Sequence, residues 1–195
     1  MNIKTIENEI LSSILVKENL LKDKKELGKI LELAKDCKSS LESQGKVILC
    51  GNGGSFADAQ HLSAEFTSRF LFDRPGLASI ALGTNSSSMT AIGNDYGYEN
   101  VFARELESIA FENDILIGIT TSGNSANILK AIEVARKKEI KIYIFSGSGQ
   151  GKLPIDINVI HVPSDETARV QECHILIGHI ICGLVESEIF SSLIP

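Results

Sequence analysis

The chain has 195 residues, which is long enough for one α/β domain with a substantial core. Its formal net charge of −6 argues against a nucleic-acid partner and against an anionic membrane surface, since both attract clustered Lys and Arg. The N-terminus is charged and amphipathic and lacks the apolar core of a signal peptide, so we expect a cytoplasmic protein.

Two amphipathic helices are predicted over residues 3–44, because apolar residues recur there at helical spacing, and Gly45 is expected to end the second helix. Strands and helices then alternate, which predicts a parallel sheet covered by helices on both faces. The expected elements are strand 46–50, helix 54–70, strand 78–82, helices 86–94 and 98–110, strand 114–119, helix 125–138, strands 140–145 and 156–162, and a closing helix from about 166. We expect one domain over 1–195, with oligomer contacts from 1–44 and an α/β core over 45–195.

Two glycine-serine turns each follow an apolar strand and precede a helix. They are Gly51-Asn52-Gly53-Gly54-Ser55 and Thr120-Thr121-Ser122-Gly123-Asn124-Ser125. The free amides and the dipole of a helix start suit an anion, and right-handed crossovers place both turns at one edge of the sheet. The first turn lacks the third glycine of a dinucleotide fingerprint, and the chain lacks a Gly-Lys-Ser/Thr phosphate loop. These turns therefore predict a phosphorylated small molecule as the ligand, with a sugar phosphate favoured.

The closing helix is apolar nearly all round between Ile175 and Val185 and is too short to span a bilayer. A helix that is apolar on every side is expected to be buried on every side. In so small a domain this predicts a subunit interface and hence a homo-oligomer. Four cysteines in apolar surroundings, without C-x-x-C spacing, are expected to be buried free thiols: Cys37, Cys50, Cys173 and Cys182.

Four polar side chains could carry chemistry. His61 and Glu65 lie four residues apart on the helix that the first turn opens, so both project from one face. Gln171 and His179 lie eight apart on the closing helix and can face the same cavity. Most i,i+4 pairs are surface contacts, and a histidine in an apolar helix often donates to a nearby carbonyl. The functional interpretation is that all four side chains converge on a metal or on substrate oxygens.

Other polar residues are expected to be structural. His161 and His174 are placed in that class, and Arg74 is expected to be a solvated charge. Gly93-Asn94-Asp95-Tyr96-Gly97 is typical of a turn, and its side chains could also orient sugar hydroxyls.

On these motifs, together with residues 164–172, the chain resembles the sugar isomerase (SIS) domain family, and within it the bacterial phosphoheptose isomerases. The resemblance covers essentially the whole chain. It implies a flavodoxin-like three-layer sandwich with a five-stranded parallel sheet and an N-terminal helical pair, assembled as a homotetramer with active sites at subunit interfaces. The implied reaction interconverts sedoheptulose 7-phosphate and D-glycero-D-manno-heptose 7-phosphate through an enediolate, as the first step of nucleotide-activated heptose biosynthesis for lipopolysaccharide or capsule.

The resemblance also implies roles for individual residues. Glu65 and His179 would be catalytic, and one zinc per subunit would be held by His61, Glu65, Gln171 and His179. Four protein ligands are typical of a closed structural site, which conflicts with a metal that must also meet substrate. The implied substrate contacts are Asn52, Gly53, Gly54, Ser55, Glu65, Asn94, Asp95, Thr120, Thr121, Ser122, Ser125 and Gln171.

Two alternatives remain open. Some SIS proteins bind phosphosugars or a replication initiator without catalysis, and they need the turns but not His61, Glu65 and His179 together. The presence of all three favours an enzyme. The second alternative is an isomerase of another phosphosugar.

Overall fold

The computed structural model describes residues 2–193, which form seven α-helices and five β-strands. The helices are α1 (Ile3–Lys22), α2 (Lys24–Glu42), α3 (Gly54–Thr67), α4 (Ser86–Tyr96), α5 (Val101–Ile109), α6 (Ala126–Lys137) and α7 (Thr167–Ile189). The strands are β1 (Val47–Gly51), β2 (Ser79–Ala81), β3 (Ile115–Ile119), β4 (Lys141–Ser146) and β5 (Asn158–His161). The predicted order of elements is therefore confirmed, with boundaries that differ by up to three residues.

The five strands form one parallel sheet in the order β2-β1-β3-β4-β5, which confirms the predicted flavodoxin-like topology. Every residue of β1 and β3 is buried, as expected of strands covered on both faces. Gly51 pairs with Ile119, so the ends of the two central strands lie side by side. The segments that follow these two strands are neighbours for this reason.

Helices cover both faces of the sheet, which gives three layers. Val47 and Leu49 pack with α2, α3 and α7 in one apolar core, whereas Ile48 and Cys50 pack with α5 and α6 in the other. This alternation follows from the two-residue period of a strand. The α3 and α7 helices thus lie on the same face of the sheet and contact each other.

The end of α2 differs from the prediction. Gln44, not Gly45, takes the left-handed conformation after the helix, with φ of 63°. The Gly45 amide donates to the Ser40 carbonyl at 2.8 Å, which closes the last turn. Glycine is required at position 45 for a different reason, because a Cβ there would lie 2.2 Å from the Asn113 carbonyl oxygen.

The turn predicted over residues 93–97 is wrong. The α4 helix continues to Tyr96, so Asn94 and Asp95 lie in its last turn and are exposed. Gly97, with φ of 86°, ends the helix. The small and polar residues of this segment had indicated a turn, but Asn85 caps the helix start and the helix then runs through them.

The four cysteines are buried free thiols, as predicted. Burial raises the pKa of the Cys50 thiol to about 12 and that of Cys182 to about 12, so neither forms a thiolate at neutral pH.

The α7 helix is not buried on every side within the chain. Leu176, Ile180 and Leu184 recur every four residues and are 36%, 42% and 38% exposed, so they form one apolar stripe on the surface. The expectation that the closing helix is too short to span a bilayer is wrong by length, because α7 has 23 residues. Of the described helices it is the one long and apolar enough to cross a membrane, which is weak evidence for a membrane span because soluble core helices pass the same test. Its other faces pack against α2, α3 and the sheet.

Candidate active site

The two glycine-serine turns lie side by side at the carboxyl edge of β1 and β3. In the first turn, a Cβ on Gly51 would lie 2.4 Å from the Ser55 carbonyl oxygen, so only glycine fits there. Gly53 has φ of 56° and ψ of −120°, a combination that L-residues rarely adopt. The glycines therefore let the chain reverse sharply and start α3 at the sheet edge.

The helices that these turns open begin without a side-chain cap. Neither Gly53 before α3 nor Ser125 before α6 makes a side-chain capping hydrogen bond. The starts of α5 and α7 also lack one, whereas Asn2, Asp23 and Asn85 cap α1, α2 and α4. The first amides of α3 and α6 thus lack the acceptor that a cap supplies. An anion at this edge would take that place.

An amide pair that the sequence analysis missed joins the first turn to the start of α6. Asn52 Nδ2 donates to Asn127 Oδ1 at 2.9 Å, and Asn127 Nδ2 donates to Asn52 Oδ1 at 2.8 Å. The Tyr98 hydroxyl also donates to Asn52 Oδ1, at 3.1 Å. The one signal available in the sequence was the position of Asn127, which lies at the start of the helix that follows residues 120–125. Asn52 is therefore held in place from two directions.

The hydroxyl groups of the second turn differ in exposure. Thr120 is buried, and its Oγ1 lies 3.2 Å from Ser125 Oγ and accepts from the Gly123 amide at 3.3 Å. Ser122 is exposed, while Thr121 and Ser125 are half-buried. Ser122, Thr121 and Ser125 can thus meet a ligand, and Thr120 orients Ser125.

The α3 and α7 helices run side by side and bring three reactive groups together. Nε2 of His179 lies 3.0 Å from Nε2 of His61, which in turn lies 3.1 Å from Oε1 of Glu65. One ligand atom from each of these residues lies within 4.8 Å of the others. We call these three residues the histidine-glutamate cluster. The close approach of the helices depends on Gly178, where a Cβ would lie 2.4 Å from Leu62.

Gln171 lies at the other end of the contact between α3 and α7. Its amide nitrogen is 2.6 Å from the position that a Cβ on Gly54 would take, so its side chain packs on the start of α3. His61 lies seven residues further along α3, which is about 10 Å at 1.5 Å per residue. The structure thus places Gln171 beside the first turn and brings together His61, Glu65 and His179 at the far end.

The cluster fits a divalent metal by its donors and their spacing. Two imidazole nitrogens and a carboxylate oxygen are donors that Zn²⁺ commonly takes. Atoms bound to a tetrahedral zinc at its usual bond lengths lie about 3.3 Å from one another. The separations of 3.0 and 3.1 Å within the cluster are close to that value. Three protein donors leave a fourth position open, as in catalytic zinc sites.

Two further histidines do not join the cluster. Nδ1 of His161 lies 2.8 Å from the Gly147 carbonyl oxygen. His174 is 0% exposed, and neither ring nitrogen makes a well-formed hydrogen bond, although the backbone of Ser146 is close enough to oppose the effect of burial on its pKa. Burial lowers the pKa of the His174 imidazole to about 4, so it is neutral at physiological pH.

The expectation that Arg74 is a solvated charge is wrong. Arg74 is 8% exposed, and its Nε donates to Glu186 Oε1 at 2.9 Å, in a pair whose two side chains are almost wholly buried. Nothing in the local sequence distinguishes this arginine from Arg69, which is exposed. Its partner lies 112 residues away in the sequence, so a local pattern could not reveal the pair.

Comparison with known proteins gives consistent matches. The family model described as SIS domain matches residues 16–147. Phosphoheptose isomerase 2 of Campylobacter jejuni is 52% identical over 186 residues, which cover 95% of this chain and 92% of that protein. Phosphoheptose isomerase of Aneurinibacillus thermoaerophilus is also 52% identical over 186 residues, covering 95% and 94%. The solved structure of a phosphoheptose isomerase from Francisella tularensis superposes with a TM-score of 0.90 at 38% identity, covering 96% of this chain and 100% of that one.

Proposed function

The chain belongs to the SIS domain family and is a phosphoheptose isomerase, and on that premise we propose that Glu65 and His179 interconvert sedoheptulose 7-phosphate and D-glycero-D-manno-heptose 7-phosphate. One observation carries this assignment of roles. The uncapped start of α3 and the histidine-glutamate cluster lie at the two ends of one helix-helix contact. One end suits a phosphate, and the other suits proton transfer.

The distance between these two ends is compatible with a seven-carbon substrate. Gly54 and His61 are about 10 Å apart along α3. An extended seven-carbon chain with its phosphate ester spans about the same length at ordinary single-bond distances. A phosphate held by the two turns would therefore place C1 and C2 of the sugar at the cluster.

The reaction requires two proton movements. Glu65 takes a proton from C1 of the ketose, the electron pair forms the C1–C2 double bond, and the C2 carbonyl oxygen becomes an oxyanion that His179 protonates. His179 then takes the proton of the C1 hydroxyl, the C1 carbonyl forms, and Glu65 returns its proton to C2. The net change is one hydrogen moved from C1 to C2 and one from O1 to O2. His61, 3.0 Å from His179 and 3.1 Å from Glu65, lies where it can orient both.

We propose that His61 Nε2, His179 Nε2 and Glu65 Oε1 hold one zinc ion per subunit, with the fourth position open to substrate, and that proton transfer uses the second carboxylate oxygen of Glu65 and Nδ1 of His179. Bound there, the metal would supply Lewis-acid polarisation of the carbonyl. The position of Gln171 at Gly54 supports an open rather than a closed site, and supports a role for Gln171 in contacting substrate near the phosphate. Elemental analysis should find about one zinc per chain, and exhaustive chelation should abolish turnover. Full activity with no zinc in the protein would refute this proposal.

We propose a homotetramer in which second copies cover the apolar face of α1 and the stripe on α7. The exposed stripe lies on the helix that carries His179, and one of its residues, Ile180, directly follows His179 in the sequence. We therefore expect Ile10→Glu with Ile14→Glu to lower the oligomer mass measured by light scattering, and to lower turnover. Ile155→Glu, at a site 94% exposed on a loop, is the control and should stay assembled. The exposed apolar residues of α1 are Ile3, Ile6, Ile10, Leu11, Ile14, Leu15 and Leu21.

The direct test follows the anomeric protons of sedoheptulose 7-phosphate by NMR in the presence of the protein and of Glu65→Gln. The parent should form the aldose, and the variant should bind the sugar phosphate but turn it over 10²–10⁴-fold more slowly, roughly the share of general acid–base catalysis. Glu188→Gln, at an exposed position on the same helix as His179, is the matched control. Near-normal turnover by Glu65→Gln would refute the assignment, and binding without turnover by the parent would favour a non-catalytic receptor.

A further inference from the structure

We propose that the buried Arg74–Glu186 pair is a positioning device for the isomerisation, which fixes Glu65 and His179 relative to each other. This inference rests on the roles proposed above for those two side chains. Neither Arg74 nor Glu186 belongs to the histidine-glutamate cluster. Both act through other groups, and three sets of contacts carry the argument.

The first set joins Arg74 to the end of α3. Its Nη1 donates to the carbonyl oxygens of Phe66 at 2.6 Å, Ser68 at 3.0 Å and Pro75 at 3.1 Å, and its Nη2 donates to that of Glu65 at 2.8 Å. A cation at the carboxyl end of a helix also favours the helix dipole. One guanidinium therefore fixes the last turn of the helix that carries His61 and Glu65.

The second set joins Glu186 to the loop after α3. Its Oε1 accepts from Arg74 Nε at 2.9 Å and from the Phe70 amide at 2.8 Å, and its Oε2 accepts from the Leu71 amide at 2.7 Å. Glu186 lies on α7 and is 0% exposed. The carboxylate thus holds two consecutive amides of the loop against the helix that carries His179.

The third contact reaches the imidazole. The Phe70 ring stacks on the ring of His179, with centroids 5.5 Å apart and an interplanar angle of 27°. The amide of the same residue is held by Glu186. The ion pair therefore fixes the main chain of Glu65 on one side and one face of His179 on the other.

The charges of this pair are not by themselves a reason for stability, because burying two ions costs desolvation free energy. The pair also satisfies two backbone amides and four carbonyl oxygens, so its removal should lower stability as well as turnover. What an apolar replacement cannot supply is the set of directional bonds to Glu65, Phe70 and Leu71. Small displacements of reacting groups reduce rates strongly, so loss of these bonds should appear in turnover.

The test is the double variant Arg74→Met with Glu186→Leu, which removes both charges together and leaves no unpaired charge in the core. We expect a folded protein in which kcat falls about 100-fold, the loss expected from a displacement of about 1 Å, while KM for the sugar phosphate changes little because the turns are untouched. Phe70→Leu keeps the ion pair and removes the stacked ring, and should lower kcat in the same way. If the double variant does not fold, Arg74→Lys takes its place. This substitution keeps the positive charge but removes the planar set of guanidinium N–H donors, so the same fall in kcat is expected.

The matched control is Lys46→Met with Asp114→Leu. Asp114 is buried, accepts from the amides of Lys46 at 2.9 Å and Phe111 at 2.8 Å, and pairs with Lys46 Nζ at 2.6 Å, so its pattern of contacts is like that of Glu186. It lies at the opposite edge of the sheet, at the start of β3. Its replacement should leave kcat at the parent value.

A readout independent of turnover is the imidazole NMR spectrum, which is simple because the chain has four histidines. The double variant should shift the His179 resonances, since the Phe70 ring moves, and leave those of His161 in place. A folded double variant with parental kcat and an unshifted His179 signal would overturn the positioning role. Absence of turnover in the parent would instead refute the proposed function, so the two failures are distinguishable.

Discussion

Replacing His174 with leucine should remove a large part of the acid sensitivity of the fold. The imidazole is 0% exposed and makes no well-formed hydrogen bond, and burial, opposed in part by the Ser146 backbone, lowers its pKa from 6.5 to about 4. At a pH between these two pKa values, the unfolded chain binds a proton at His174 that the folded chain does not bind. Acid therefore favours unfolding over that range, and this contribution to stability is present above pH 6.5 and lost as the pH falls towards 4.

The size of the effect follows from the two pKa values. A full shift from 6.5 to about 4 corresponds to about 3 kcal/mol at 1.36 kcal/mol per unit. About 2 kcal/mol of this is already lost at pH 5, where the unfolded imidazole is almost fully protonated and the folded one is not. At pH 7.5 the leucine variant should be as stable as the parent or more stable, because two buried nitrogens without well-formed hydrogen bonds have been removed.

Urea unfolding at one protein concentration, at pH 7.5, 6.0 and 5.0, measures this difference. From pH 7.5 to 5.0 the free energy of unfolding of His174→Leu should fall by about 2 kcal/mol less than that of the parent. His161→Gln removes a histidine that contacts the Gly147 carbonyl near the surface and serves as the control. Equal losses for the parent and His174→Leu would refute the reasoning.

Three further substitutions test the packing and the turns. Gly178→Ala should destabilise the fold by about 1–3 kcal/mol in thermal or urea unfolding, because its Cβ would lie 2.4 Å from Leu62; an unchanged melting temperature would contradict the close contact of α3 and α7. Asn127→Ala should raise KM more than it lowers kcat and cost about 1–3 kcal/mol of stability, because it leaves the Asn52 amide without its partner; an unchanged KM would show that Asn52 needs no support. Gly53→Ala should weaken phosphate-ester binding measured by calorimetry. It should also lower the free energy of unfolding by about 1–3 kcal/mol because alanine is strained at a φ of 56°, although no atom lies within 4 Å of the new Cβ. Parental affinity would refute a role for this conformation.

The sheet and the turns could be predicted from the sequence because their signals are local. The runs that became β1 and β3 are apolar without interruption, and each is followed at once by glycine and hydroxyl residues. Strand, turn and helix are consecutive there, so the order of the chain itself determines which backbone groups reach the sheet edge. The resemblance of the motifs then indicated His61, Glu65 and His179, which the fold brings together.

The contacts that escaped prediction join distant segments. Arg74 and Glu186 lie 112 residues apart, and Asn52 and Asn127 lie 75 apart. Whether such a side chain is solvated or buried depends on the helix that packs over it, and residue type does not reveal this. The apolar composition of α7 predicted a contact with another subunit, but composition alone does not specify which face of the helix, here that of Leu176, Ile180 and Leu184, is left uncovered within the chain.

We expect a phosphate ester bound at the starts of α3 and α6, which have no side-chain caps, to stabilise the folded chain. A phosphorylated ligand that completes those helix starts binds the folded chain and not the unfolded one, so each tenfold rise in its concentration above the dissociation constant adds about 1.4 kcal/mol of stability. We therefore expect limited proteolysis of the protein to be slower with the sugar phosphate present than without it.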